Sequence, residues 1–431
     1  MLRYFFALLI GLLLLNGVQA QPETDSLLQR ILKANPSPAL QHVLRNPQAY
    51  RCQIIYTQIN RNKKNKPQFR HYYFNYDPDL YFNPASTVKL PLAALALEKL
   101  HRMESQGLDK HTTVLFDSSY PGQRRLLRDT TAITGLPSVA HLIKRALLVS
   151  ENDPYNRLYQ FLGQGPINKS LRSKGYKESR ITRQFMPFTD EQNRHTNAVQ
   201  FVGADDRPLY LQPPAYNKDS FKFRKKFLVG KAHIDRNGRT VQAPLDFTRH
   251  NYLPLQSLQQ MLQSIIFPYS VGKRERFYFS TDDREFLLRY LSQYPSETPW
   301  PLYDTATYYD SYVKFFFQNG THRMPAGVRV FNKVGWAYGF MTDVAYVADF
   351  ANGIEYMLAA TVYVNSDGIL NDDKYEYETV GIPFMHALGQ TIYQHELKRQ
   401  RKYRPNLSDL QIQYEQRDPA DKRTAISVVD N

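Results

Sequence analysis

Cys52 is the only cysteine in 431 residues, so no internal disulfide can form, even in a compartment that would allow one. It lies in an apolar, strand-like run with no paired histidine signal, which reads as a small core residue rather than a nucleophile. Histidines spaced for a metal are also missing. The 11 histidines are scattered, with no His-x-x-x-His on a helix. No metal and no cofactor are therefore expected, and His141, His195 and His250 read as surface or packing residues. Neither a disordered nor a repeat composition is present: 42% of the residues are hydrophobic and 22% charged. The apolar run from Tyr4 to Leu15 falls short of the roughly 20 residues a spanning helix needs. No cysteine follows it closely enough for a lipid anchor.

That run follows the basic start Met1-Leu-Arg3 and precedes the small residues Gly17-Val-Gln-Ala20. The pattern predicts a signal peptide over residues 1–20, cleaved after Ala20, giving an exported, periplasmic or secreted protein without stable membrane insertion. The net charge of +15 is spread over Arg61 to Lys64, Lys222 to Lys231 and Lys398 to Arg404, with no nucleic-acid-binding module around any of them. These read as solvated faces, and no nucleic-acid partner is expected.

Chemistry enters at Tyr81 to Leu100. Pro84 suits a helix start, and the run from Leu90 to Leu100 is apolar nearly all round, as in a central buried helix. Ser86 and Lys89 lie three apart and so share one face. An amine held against a hydroxyl in a partly desolvated pocket can be neutral and can remove its proton. Unpaired N–H groups of the first helical turn suit a developing oxyanion.

Along the chain, residues 21–41 have helical spacing, and Tyr50 to Asn60 with Phe69 to Tyr76 read as a β-hairpin. Helical patterns recur at Val139 to Leu148, Arg157 to Leu162, Leu253 to Ile266 and Asp282 to Leu291. Residues 174–248 read as a long excursion with a small strand pair. Three antiparallel strands are expected from Gly327 to Val364, then a helix from about Glu378 to Arg399, then a polar, loose tail over 400–431. The predicted fold is α+β. One antiparallel sheet gathers both chain ends (21–80 and 325–399), a helical part (81–324) is inserted between them, and the cleft lies at their border. The whole of 21–399 is read as one domain.

Three short motifs fall in order: Ser86-Thr-Val-Lys89, Ser150-Glu-Asn152 and Lys333-Val-Gly335. Ser-x-x-Lys alone is common; Ser270-Val-Gly-Lys273 and Ser311-Tyr-Val-Lys314 occur here too. Neither, however, starts a long apolar helix or precedes a Ser-x-Asn. In this order and context the chain resembles the serine β-lactamase and penicillin-binding protein superfamily, closest to class A β-lactamases. The resemblance covers roughly residues 22–399 and is weakest over 174–248. It implies that Ser86 is acylated, that Lys89 exchanges its proton, and that Ser150 passes a proton to the leaving nitrogen. It also implies that Asn152 binds a substrate amide, that Lys333 faces a substrate carboxylate, and that the N–H groups of Ser86 and Trp336 form the oxyanion hole, with Gly335 allowing close approach. Glu151 reads as structural.

Two departures matter. Val334 stands where class A enzymes carry a hydroxyl residue. Placing Arg183 on the family's loop arginine puts Phe185 at the position of the deacylating glutamate, with Asp190 and Glu191 a few residues on as replacement candidates. The resemblance thus implies hydrolysis of a β-lactam amide, and leaves open a penicillin-binding-type peptidase or hydrolase of peptidoglycan-like amides and esters, or a slowly deacylating sensor. A small-molecule substrate and a monomer are expected.

Overall fold

A five-stranded antiparallel sheet carries the architecture in the computed structural model, which describes residues 22–429. The expected signal peptide lies outside the described residues. In chain order the elements are α1 (Ser26–Ala34), α2 (Pro38–Arg45), β1 (Gln53–Arg61), β2 (Pro67–Phe74), α3 (Lys89–His101), β3 (Thr113–Phe116), α4 (Val139–Leu148), α5 (Asn152–Leu162) and α6 (Gln164–Ser173). The middle of the chain holds β4 (Val199–Val202), β5 (Pro208–Gln212), β6 (Leu228–Val229), β7 (Ala232–Ile234), β8 (Thr240–Val241) and β9 (Leu245–Asp246). Then come α7 (Leu255–Ile266), α8 (Thr281–Ser292), β10 (Val328–Ala337), β11 (Phe340–Asp349), β12 (Ile354–Tyr363), β13 (Ile369–Leu370) and α9 (Ile382–Lys398).

The sheet order is β10-β11-β12-β1-β2, so the first and last segments meet at the β12–β1 pairing, Ile54 opposite Ala360. Alternation along the strands divides the core in two. Phe331, Val344, Tyr346 and Met357 pack with α3, α4, α5, α7 and α8, while Val330, Val334, Ala345 and Tyr356 pack with α1, α2 and α9. Lys333 and Gly335 share the parity of Phe331 and so face the helical side. The helix α3 lies within this larger core, which explains its apolar circumference: Leu90, Leu92, Ala93, Ala94, Ala96 and Leu97 are all fully buried. Pro91 falls in its first turn, where the missing N–H is not needed.

Four readings change. The expected N-terminal helix is two helices, because Pro36 and Pro38 interrupt it and Pro38 opens the second. The excursion holds more than a strand pair: β4 and β5 join β3, β6 pairs with β9, and β7 pairs both with β8 and with β13 from the far end of the chain. The tail is docked, not loose. Glu415 pairs with Lys144 at 2.9 Å, Arg417 donates to the carbonyls of Thr298, Pro295 and Tyr303, and Ile426 bridges to Tyr303. Its polar composition hid this because the side chains that fasten it are themselves polar. Finally, the helix expected from about Glu378 begins at Ile382, after a π-turn at Tyr377–Gly381. Among the described residues no helix is long and apolar enough to cross a membrane.

Candidate active site

The border between β10 and the start of α3 carries the candidate site. A 3₁₀ turn, Ala85–Val88, leads into α3, and Ala85 takes a φ of 42°, a sparsely populated conformation for a residue with a side chain. Ser86 is half-buried on this turn, while Lys89 behind it is fully buried. The Lys89 Nζ lies 2.8 Å from the Ser86 Oγ and 2.8 Å from the Asn152 Oδ1, and it also contacts the Ser150 carbonyl. A neutral amine has two N–H donors and one lone pair. The carbonyl and the amide oxygen can only accept, so they take both donors and leave the lone pair for the Ser86 hydroxyl. Burial, and after it the Lys333 ammonium, hold the Lys89 pKa well below its ordinary 10.5, which favours that neutral form.

Ser150 lies in the middle of the short loop between α4 and α5, with a φ of 69°. Its Oγ sits between the two lysines, 3.3 Å from the Lys89 Nζ and 2.8 Å from the Lys333 Nζ. A proton can therefore pass from one amine to the other through a single hydroxyl. Burial pushes the Lys333 pKa down to about 7, with the Asp343 carboxylate acting the other way. Glu151 points away from this line. It accepts from Arg145 at 3.0 Å and from the Tyr303 hydroxyl at 2.5 Å, and Arg145 continues to Asp129 at 2.8 Å, so it anchors the loop from behind.

The oxyanion donors follow from hairpin geometry. β10 and β11 are joined by the two-residue turn Tyr338-Gly339, with φ of 54° and 78°, a type I′ turn. Its flanking pair, Ala337–Phe340, is then hydrogen-bonded, and the next pair, Trp336–Met341, is not. The Trp336 N–H consequently points off the sheet edge toward the Ser86 turn, where the first-turn N–H of Ser86 is also free of helical bonding. The strand approaches so closely only because residue 335 is glycine: a Cβ there would lie 2.6 Å from the Pro84 carbonyl oxygen and 2.9 Å from the Ser86 nitrogen.

A cavity of about 720 Å³ opens over Ser86, lined also by Ser150, Asn152, Trp336 and the loop from Arg183 to Pro187. Phe185 stands where the resemblance seeks a glutamate. Its ring is 5.2 Å from the Lys89 Nζ and stacks on Tyr155 at 4.3 Å, and its N–H is fixed by the Asn156 Oδ1 at 2.7 Å. Asp190 and Glu191 are not brought to the site. Asp190 pairs with Arg249 at 2.6 Å, and Glu191 lies 3.4 Å from both His195 and the Tyr216 hydroxyl; both acids are half-exposed and neither lines the cavity. Of the histidines set aside on sequence, His141 and His195 pack elsewhere, against Thr131 and Tyr120, but His250 lines the cavity. Sequence reasoning also missed Arg236, Tyr338, Tyr375 and Tyr377 as cavity residues. They come from the excursion, the β10–β11 turn and the segment after β12, and no local pattern joins those segments. The copies Ser270/Lys273 and Ser311/Lys314 lie outside the cavity. Among the described residues no group of His, Cys, Asp and Glu gathers as for a metal.

Element order and site geometry agree with what the resemblance to the serine β-lactamase and penicillin-binding protein superfamily implies. The model of the Beta-lactamase enzyme family matches residues 36–205, which hold Ser86, Lys89, Ser150 and Asn152. No curated protein matches the sequence. Among solved structures, a beta-lactamase from Xanthomonas campestris is similar at 13% identity, over 84% of this chain and 97% of that one, with a TM-score of 0.46. One from Desulfarculus baarsii is similar at 17% identity over 82% and 96%, with a TM-score of 0.42. An ancestral class A beta-lactamase is similar at 14% over 83% and 99%, with a TM-score of 0.45.

Proposed function

We propose that the protein is an exported serine hydrolase of the β-lactamase type, which opens a β-lactam or a related envelope amide through a Ser86 acyl-enzyme. The observation that carries this reading is the 2.8 Å contact between the Ser86 Oγ and a buried Lys89 whose two N–H donors are otherwise engaged. Lys89 takes the Ser86 proton as the oxygen attacks the carbonyl carbon. The oxyanion is met by the N–H groups of Ser86 and Trp336. Collapse breaks the C–N bond, and the nitrogen takes a proton from the Ser150 hydroxyl, which is resupplied through Lys89 or Lys333. Lys333 also supplies the charge for a substrate carboxylate.

Phe185 favours slow release of the acyl group, because a phenyl ring cannot activate water. The reading is therefore of a site that acylates faster than it deacylates. A chromogenic cephalosporin tests it: a burst of about one equivalent followed by slow turnover, abolished in Ser86→Ala, is expected. No burst with either protein would refute it.

A further inference from the structure

Two arginines of the cavity have no part in acylation, the exposed Arg236 and the more enclosed Arg183. Arg183 is half-buried on the cavity wall and its backbone is clamped on both sides. The Asn251 Oδ1 accepts from its N–H at 2.9 Å, and the Tyr155 hydroxyl donates to its carbonyl at 2.7 Å. Its guanidinium donates to the His250 Nε2 at 2.5 Å and to the Phe188 carbonyl at 3.4 Å. His250 packs edge-on against Phe247, and burial with the Arg183 charge pushes its pKa down to about 3. It is therefore a neutral acceptor that orients the guanidinium without cancelling its charge.

No carboxylate among the described residues pairs with Arg183. Asp190 is taken by Arg249, and Asp246 accepts from the Thr248 N–H. Asp373, the carboxylate among the cavity residues, is exposed and makes no ion pair. A fixed guanidinium with donors to spare and no counter-charge is matched by a carboxylate, which it binds through two parallel N–H groups. Its place indicates which limb of the substrate it meets. The loop carrying Arg183 is tied through Phe185 to Asn156 on α5, the helix that starts at Asn152, whereas Lys333 lies on β10 at the other side of Ser150.

Resting on the acyl-enzyme reading, we infer that Arg183, oriented by His250, is a second anion subsite of this cavity and selects substrates with a carboxylate on the acyl-side limb. Carbenicillin carries such a carboxylate where benzylpenicillin has hydrogen, which makes the pair a direct probe. Their equilibrium binding to Ser86→Ala protein, which cannot be acylated, is measured by calorimetry. Carbenicillin should bind roughly tenfold more tightly, the scale of one charge-assisted contact, and Arg183→Gln in the same background should bring the ratio close to one. The ratio should also shrink as salt rises from about 50 mM to about 500 mM, a reading that needs no second variant. Equal affinities, no binding of either compound, or a preference that survives both Arg183→Gln and salt would overturn the inference. Absence of acylation on the unaltered protein would instead overturn the hydrolase reading, whatever the two affinities are.

Discussion

Gly335→Ala perturbs the proposed oxyanion hole through space alone. Residue 335 is an ordinary β-strand residue, so alanine carries no conformational penalty there; the added methyl meets backbone instead. It would lie 2.6 Å from the Pro84 carbonyl oxygen and 2.9 Å from the nitrogens of Ser86 and Thr87. None of these atoms can swing aside as a side chain would. Restoring an ordinary carbon–oxygen contact of roughly 3.4 Å requires β10 and the Ser86 turn to part by about 0.8 Å. The Trp336 N–H and the Ser86 Oγ move apart by the same amount, because one rides on the strand and the other on the turn. Loss of one oxyanion donor typically costs about 10²–10³ in rate, and a misplacement near 1 Å about 10². We expect Ser86 acylation by benzylpenicillin, followed by intact-protein mass spectrometry after rapid quenching, to slow by about 10² in Gly335→Ala. Thermal melting run in parallel should show a protein that is still folded at the assay temperature. A folded Gly335→Ala protein acylating at the unaltered rate would refute the placement of the hole.

Phe185→Glu should place a carboxylate near Lys89 and speed release of the acyl group by about tenfold or more, as a positioned general base would; adduct lifetime measures it. Asp343→Asn removes the buried carboxylate that helps Lys333 keep its proton. Lys333 should then deprotonate at lower pH, so the pH above which acylation by a carboxylate-bearing β-lactam declines should move from about 7 to a lower value in a pH–rate profile. Tyr303→Phe removes the hydroxyl that donates to Glu151 at 2.5 Å and should cost about 1.5–3 kcal/mol in urea unfolding, the range for a hydrogen bond to a charged group.

What could be read in the sequence was what local chemistry specifies. Apolar residues all round Leu90 to Leu100 announced the buried helix α3. Runs rich in valine, tyrosine and phenylalanine from Val328 to Tyr363, broken at Gly339 and Gly353, announced three strands, and the turn residues set the boundaries to within two residues. Ser86, Lys89, Ser150, Asn152 and Lys333 could be singled out because each motif lies within four residues, and the fold brings the three pieces into hydrogen-bond contact. Arg183 with His250 was not found, since the pair is 67 residues apart and the contact depends on how the loops after α6 and β9 pack. The docked tail escaped for a related reason. Arg417, Glu415 and Ile426 engage carbonyls and side chains more than 110 residues away, and composition carries no trace of a partner at that distance.

The account stands on Ser86 as the acylated atom and on slow release of the acyl group. Proteolytic mapping of the protein quenched at intervals after mixing with benzylpenicillin tests both at once. The mass of the intact penicillin should appear on the peptide carrying Ser86, persist long after acylation is complete, and be absent in Ser86→Ala. An adduct on another peptide, or none while the drug is neither bound nor hydrolysed, would contradict the account.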